Sequence, residues 1–429
     1  MSEMELDSTS DGADDWRVVG DSLSAWFEAT SQSAGAELVA RIAELTDGNG
    51  FPELDLRATG VRVRLSPGPT PRADGGRARL SPESADLELA RAISVAAREL
   101  GLGADPSVLR TLRFAFDAAD PTPVRSFWQT VLAYEPPVPA ADAVEPGELV
   151  DPSRRDPTVS FHQLDDSRPL RQRIHVDIVR PAEAVAGVKA SLGLEAYGAY
   201  GLTLADADGN EVDLVPGGGL TDSPETADWL TLFGAMTFYP TTSPTQASAL
   251  ATAVATLADA AGQPLLVDIR PAGVTIDSGK DEWEYDVPGF GQLAAQVQAA
   301  AHALDLTADP TNLRFVQFGI DAVDIPAVRA FWQALLGYEP DRREFLSDIY
   351  DPRRLNSVLF FQPLDGSDVA RRKQRNRLRF ELLVPHDQVE TRVATALAAG
   401  GKLLPDKGSG TRILADPEGN EVGIRTLTG

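Results

Sequence analysis

Residues 105–136 read DPSVLRTLRFAFDAADPTPVRSFWQTVLAYEP, and residues 309–340, 204 positions further on, read DPTNLRFVQFGIDAVDIPAVRAFWQALLGYEP. A second echo, LADADGNEVDL at 204–214 and LADPEGNEVGI at 414–424, falls at an offset of 210, so the copied unit covers roughly half the chain. A repeat this long is one folding unit present twice, and any account of fold or function must serve both copies and explain their differences.

At 429 residues the chain is longer than one hydrophobic core organises, so three or four units are expected, and the duplication favours an even number. With 43% hydrophobic and 24% charged residues the composition is that of ordinary globular protein, and no run of eighteen apolar residues is present to cross a bilayer. No membrane partner is therefore expected. The net charge of -25 repels phosphate backbones, which removes nucleic acid from the expected partners. There is no cysteine, hence no disulfide, thiolate nucleophile or cysteine-type zinc site. The start, MSEMELDSTSDGADDW, lacks the basic and apolar regions of a signal peptide, and a cytoplasmic protein is expected.

Residues 1–13, acidic and rich in Ser, Asp and Gly, read as a disordered tail. A first module, 14–104, is predicted to hold an amphipathic helix over 24–46 on Trp26, Phe27, Leu38, Val39, Ile42 and Leu45. The alternating strand pair LDLRATGVRVRLSP and a helix over 85–100 follow. A module over 225–306 repeats this order, with helices over 243–260 and 291–304 and the strands of LLVDIRPAGVTID. Residues 105–218 and 307–429 each read as two βαβββ units, a strand and an FWQ-bearing helix leading each, with second units starting at Ile174 and Leu378. The expected fold class is α+β, two copies of a mixed module followed by paired βαβββ units. EPPVPAADAVEPGELV (135–150) reads as a loop at a site mouth and PGGGLTDSPET (216–226) as a hinge between halves. Trp128 and Trp332 are expected as core anchors, Gly209 and Gly419 as positive-φ turn residues, His302 at a surface and His386 as a helix cap.

The modules carrying FDAADPTPVRSFWQTVLAYEP, IDAVDIPAVRAFWQALLGYEP, RIHVDIV, DADGNEVDL and DPEGNEVGI resemble the vicinal oxygen chelate superfamily, in its glyoxalase-like and bleomycin-resistance-like branches. The earlier modules resemble pterin-4a-carbinolamine dehydratase, through WRVVGDSLSAWFEATSQSAGAELVARIAEL, GFPELDLRATGVRVRL and the stretch beginning WLTLFGAMTFYP. In that family histidines just before a proline supply acid and base, the task of a group with pKa near neutrality. Here Asn49, Gly50 and Phe51 precede Pro52, and Gly262 and Gln263 precede Pro264, so the resemblance implies modules that have lost dehydratase chemistry and serve as scaffold.

Strand alternation locates a second candidate site. If Leu112, Phe114, Phe116, Phe161, Ile174, Val176, Ile178, Val212 and Leu214 face the core, then Arg113, His162, His175 and Asp213 lie on the opposite, concave face of the first glyoxalase-like module. These are also the positions where metal-dependent glyoxalase-like enzymes place ligands, usually His, Glu, His, Glu. His162, His175 and Asp213 could hold a divalent ion. Alternatively Arg113 pairs with Asp213 and replaces the metal by a salt bridge. In the second copy the equivalent positions are Gln317, Gln362, Arg379 and Gly423. With Phe315 and Phe360 they suit a neutral or anionic organic molecule, unless Arg379 is satisfied by Glu381.

The expected function is small-molecule binding, of a drug or natural product, by a protein of the glyoxalase/bleomycin-resistance type with degenerate catalytic sites. A divalent metal in the first glyoxalase-like module is the one candidate cofactor, and a homodimer the candidate assembly. The enzyme alternatives are a metal-dependent lyase or isomerase at the first pocket and 4a-hydroxytetrahydrobiopterin dehydratase; the remaining class is a structural scaffold.

Overall fold

The structure, a computed structural model, describes residues 13–46, 51–65, 84–137, 147–405 and 411–426. The expected tail up to residue 12, the positions Asn49 and Gly50, and residues 138–146 of the expected loop lie outside these.

The first mixed module corrects one expectation. Ser22–Glu28 is a strand, and the helix runs only over Gln32–Leu45. Ser31 sets the boundary, because its hydroxyl accepts from the Ala34 amide at 3.1 Å and caps the first turn. Upstream, the neighbours Trp26 and Phe27 are both buried but join different apolar clusters, as consecutive residues of a two-sided strand do. The second mixed module repeats this with Ser243 capping Pro244–Ala261.

The two mixed modules join edge to edge. Strand Glu53–Arg57 pairs antiparallel with Leu266–Arg270, placing Leu54 opposite Ile269, Asp55 opposite Asp268 and Leu56 opposite Val267. Helices Gln32–Leu45 and Pro244–Ala261 pack together over the seam, and one apolar core runs from Trp16 to Leu306. Two buried carboxylates face each other at the seam, where like charges would repel. Reciprocal arginines resolve the conflict: Arg57 donates to Asp268 at 2.7 Å and Arg270 to Asp55 at 2.6 Å. Burial works to raise the Asp55 carboxyl, but Arg270, Arg62, Arg64 and Arg57 together hold it well below the usual carboxylate range.

The expected hinge is part of the sheet. Glu211–Gly219 continues through the glycines, and Gly218 and Gly219 pair with Thr231 and Leu230. A Cβ on Gly217 would lie 2.2 Å from Leu232 Cδ2 and 2.6 Å from the Thr231 carbonyl, so glycine here permits close strand approach.

The glyoxalase-like copies exchange halves. Thr111–Ala118 and Val159–Gln163 of the first copy lie in a six-stranded sheet with Leu378–Leu383, Glu421–Arg425, Arg412–Ala415 and Lys402–Leu403 of the second. Conversely, Phe315–Ala322 of the second copy, flanked by Leu359–Pro363, pairs with Ile174–Pro181 of the first, itself paired with Glu211–Gly219, inside a fifteen-stranded sheet that also contains the mixed modules. A single core from Leu112 to Ile424 fills the space between the two sheets.

The repeated motifs support one another within this core. Trp128 and Trp332 are fully buried and donate to Asp206 at 2.8 Å and to Asp416 at 3.1 Å. Each aspartate also accepts from the amide and side chain of Asn210 or Asn420, which closes the DGNE or EGNE turn around Gly209 (φ +79) or Gly419 (φ +90). His302 is half exposed and meets Asp228 at 2.9 Å. His386 caps no helix; it is the exposed first residue of a short turn whose N-cap is Pro385.

Candidate functional site

The exchange redistributes the predicted site residues. Arg113 and His162 stand on the six-stranded sheet and His175 and Asp213 on the long sheet, so the four do not share a concave face. Arg379 joins Arg113 and His162, while Gln317, Gln362, Phe315 and Phe360 stand on the sheet of His175. The positions on each strand were readable from alternation; the pairing of half-units from different copies was not, because identical motifs allow either partner.

On the six-stranded face Arg379, Arg425, Arg168 and Arg113 are each tied to a carboxylate. Arg379 bonds Asp117 and lies 3.5 Å from Glu381, and Arg425 lies 3.4 Å from Glu381. Arg168 reaches Asp117 at 3.1 Å. Arg113 pairs with Glu148 at 3.5 Å and Asp21 at 3.9 Å, not with Asp213, which belongs to the other sheet. His162 meets the Ser160 hydroxyl at 3.0 Å. Guanidiniums line this face, and a divalent cation would meet repulsion there.

The long sheet presents the opposite chemistry. Its strands lie in the order Leu359–Pro363, Phe315–Ala322, Ile174–Pro181, Glu211–Gly219. One row across it reads Gln317, Asp177, Asp213, and the next reads Phe360, Gly319, His175. His175, Asp177 and Asp213 each bring a ligand atom to within 4.8 Å of the others. Asp177, which alternation placed on this face but which was not singled out, is thus central, and the missed signal was its i, i+2 spacing from His175.

Several contacts hold these side chains. Gln317 Nε2 donates to Asp177 Oδ2 at 2.9 Å, and Thr203 Oγ1 donates to Asp213 Oδ1 at 2.6 Å. His175 Nε2 lies 3.5 Å from Asp177 Oδ1, and its ring meets the Phe360 edge at 5.5 Å. Gly319 makes room for it, since a Cβ there would stand 2.2 Å from His175 Cε1 and 2.7 Å from Phe360 Cζ. Lys280, from the second mixed module, bonds Asp348 and places its ammonium 5.8 Å from the Phe360 and Phe233 ring centres. Phe315 packs against Phe233 at 5.8 Å, and Gln362 is exposed.

The donor set suits a divalent cation. Asp177 Oδ1 and Gln317 Oε1 are buried without a hydrogen-bond partner. Burial raises the Asp177 carboxyl above its ordinary range, Asp213 reinforces that, and His175 and the Gln317 bond oppose it. Buried acceptor oxygens beside an imidazole nitrogen are what a hard or borderline cation completes. The predicted set of His162, His175 and Asp213 is not assembled, because His162 lies on the other sheet; His175, Asp177 and Asp213 converge instead.

Each copy thus holds two strand–helix–strand units, and the two copies close around one core, with His175, Asp177 and Asp213 converging on the long sheet. In keeping with this, residues 113–215 and again 317–424 match the family model described as glyoxalase-like domain, so the chain carries that domain twice. Both matches begin beyond the mixed modules. Solved structures similar to this chain include glyoxalase I from Zea mays (11% identity, 73% of this chain and 92% of that one, TM-score 0.33). The cppA protein of Streptococcus pneumoniae TIGR4 is similar at 9% identity over 74% of this chain and 97% of that one, TM-score 0.33. A glyoxalase/bleomycin resistance protein/dioxygenase family enzyme from Burkholderia phytofirmans PsJN aligns at 22% identity over 25% of this chain and 94% of that one, TM-score 0.20. No curated protein matches the chain. Among the described residues no helix is long and apolar enough to cross a membrane.

Proposed function

We propose that this is a small-molecule-binding protein of the glyoxalase/bleomycin-resistance type, whose working face is that of the long sheet and whose binding uses a divalent cation held by His175, Asp177 and Asp213. The reading rests on the convergence of those three ligand atoms beside the unpartnered Asp177 Oδ1 and Gln317 Oε1. The other face, closed by Arg379, Arg425, Arg168 and their carboxylates, contributes packing and no chemistry. The ligand is an organic molecule with an oxygen donor for the cation and an apolar body for Phe360, of the drug or natural-product kind. Residence in the cytoplasm belongs to the same reading, and the second copy takes the place that a partner subunit would fill.

A lyase or isomerase at this face is the second reading, favoured by Asp177. Its Oδ1 is buried without a hydrogen-bond partner and lies 3.5 Å from His175 Nε2. A bound divalent ion supplies Lewis acidity toward a substrate oxygen. The residues of the chain would orient that substrate: Phe360 by ring contact, Gln317 by fixing the Asp177 carboxylate. Pterin carbinolamine dehydration is expected to be absent, since Phe51, Gly262 and Gln263 exchange no proton near pH 7.

Calorimetric titration with Mn²⁺ tests the reading. One site per chain is expected, lost in His175→Ala and Asp213→Ala and retained in His162→Ala. Uptake that survives His175→Ala would remove it.

A further inference from the structure

A cavity of about 400 Å³ opens where four segments meet. They are the turn Arg57–Thr59 of the first mixed module, the connection Gly262–Leu266 and the stretch Ser278–Phe290 of the second, and residues Glu339–Arg354 of the second glyoxalase-like copy. Its volume is in the range of sites for small organic ligands. We propose that this cavity is a separate binding site for a planar aromatic carboxylate.

Shape and chemistry both favour that class. Trp283, Phe290 and Tyr350 give aromatic walls, to which Leu265 and Leu266 add aliphatic surface. Flat rings stack on such walls with little ordering cost to the protein. Four guanidiniums, Arg57, Arg342, Arg353 and Arg354, line the cavity, against the carboxylates Glu282 and Glu339. Arg57 is committed to Asp268 at 2.7 Å and Arg353 to Asp105 at 4.0 Å, which leaves Arg342 and Arg354 beside Glu282 and Glu339.

Donors are also in place. Trp283 Nε1 and Arg353 Nε are buried without an acceptor. Arg354 lies flat on the Tyr350 ring at 3.6 Å and, like Arg342, holds Glu282, at 3.1 Å and 2.6 Å respectively. A carboxylate entering beside Trp283 would supply the missing acceptor and share these guanidiniums, which bind planar carboxylates in a fork.

The probe is 2-naphthoate, titrated by calorimetry and by tryptophan fluorescence. Five of the six tryptophans are buried and Trp283 is partly exposed, so quenching reports on this cavity. One molecule per chain is expected, with affinity unchanged in His175→Ala, which separates this site from the concave face. Ala58→Trp, filling the cavity from a half-buried position, should weaken binding at least tenfold, with circular dichroism confirming the fold. Arg342→Gln, at an exposed position, should weaken 2-naphthoate about tenfold and leave the uncharged 2-naphthylmethanol unaffected. Absence of saturable binding up to millimolar concentration, equal affinity for the uncharged analogue, or loss of binding in His175→Ala would overturn the proposal.

Discussion

Gln317 donates its side-chain amide to the Asp177 carboxylate across 2.9 Å, and the two residues come from different copies of the duplicated unit. They face each other in the ladder that joins Phe315–Ala322 to Ile174–Pro181, so the second copy buttresses a candidate cation site whose three ligands all come from the first. The six-stranded face is a joint product in the same way, with Arg113 opposite Glu381 and Ala115 opposite Arg379. Tandem duplication places both composite faces within one chain. It also allows the two faces to diverge, one toward buried acceptor oxygens and the other toward closed ion pairs, which a symmetric homodimer could not do.

Because each face draws on both copies, residues 1–224 expressed alone should not yield a folded monomer. The excised fragment is expected to self-associate through the strands that normally pair with the second copy, or to aggregate. Light scattering coupled to size exclusion checks this, and a compact monomer with native circular dichroism would contradict it.

Gly319 carries a prediction that separates packing from site geometry. In Gly319→Ala the new methyl would collide with both the His175 and the Phe360 ring, so the imidazole must shift. Stability should fall by about 1–3 kcal/mol, the usual cost of overpacking. Mn²⁺ affinity should drop at least tenfold, measured by calorimetry beside urea unfolding.

The copies are also locked at their turns. Arg377, almost wholly buried, donates to Asn210 Oδ1 at 2.8 Å and to the Gly209 carbonyl at 3.1 Å, and Arg173 makes the reciprocal contact with the Glu418 carbonyl at 2.6 Å. Arg377→Ala strands buried acceptors and should cost about 2–4 kcal/mol in chemical denaturation. Arg377→Lys should recover less than half of it, since an ammonium cannot span both acceptors.

Asp156 sets a pH dependence. Burial first, and the neighbouring Asp151 carboxylate second, push its pKa up to about 7, while Arg155 and Arg314 oppose them. The folded state therefore holds this proton more tightly than the unfolded chain, whose aspartate titrates near ~3.9. The stabilisation is full below that lower value and is lost as pH rises through about 7. Asp156→Asn should accordingly raise stability by roughly 1–3 kcal/mol at pH 8 and change little at pH 4, read by thermal unfolding at both pH values.

Much of this molecule was legible in one dimension. The doubled motifs, the FWQ helices, the buried tryptophans, the GNE turns and the inward or outward sense of each glyoxalase-like strand all follow from local pattern, because alternation and turn chemistry act over a few residues. The strand at Ser22–Glu28 was missed because two adjacent aromatics fit a helix stripe as well as a two-sided strand, and only packing on both faces decides. The turn-spanning strand at Gly217–Gly219 was missed because glycines that permit close strand approach look in sequence like a linker.

The amino-acid sequence by itself determined which side chains stand on the concave faces; the tertiary structure alone decided which of them meet. Repeats of the same pattern leave strand pairing within a copy and between copies equivalent, and the choice falls to long-range packing of both copies into one core between two sheets. That choice parts His162 from His175 and brings His175, Asp177 and Asp213 beside Gln317.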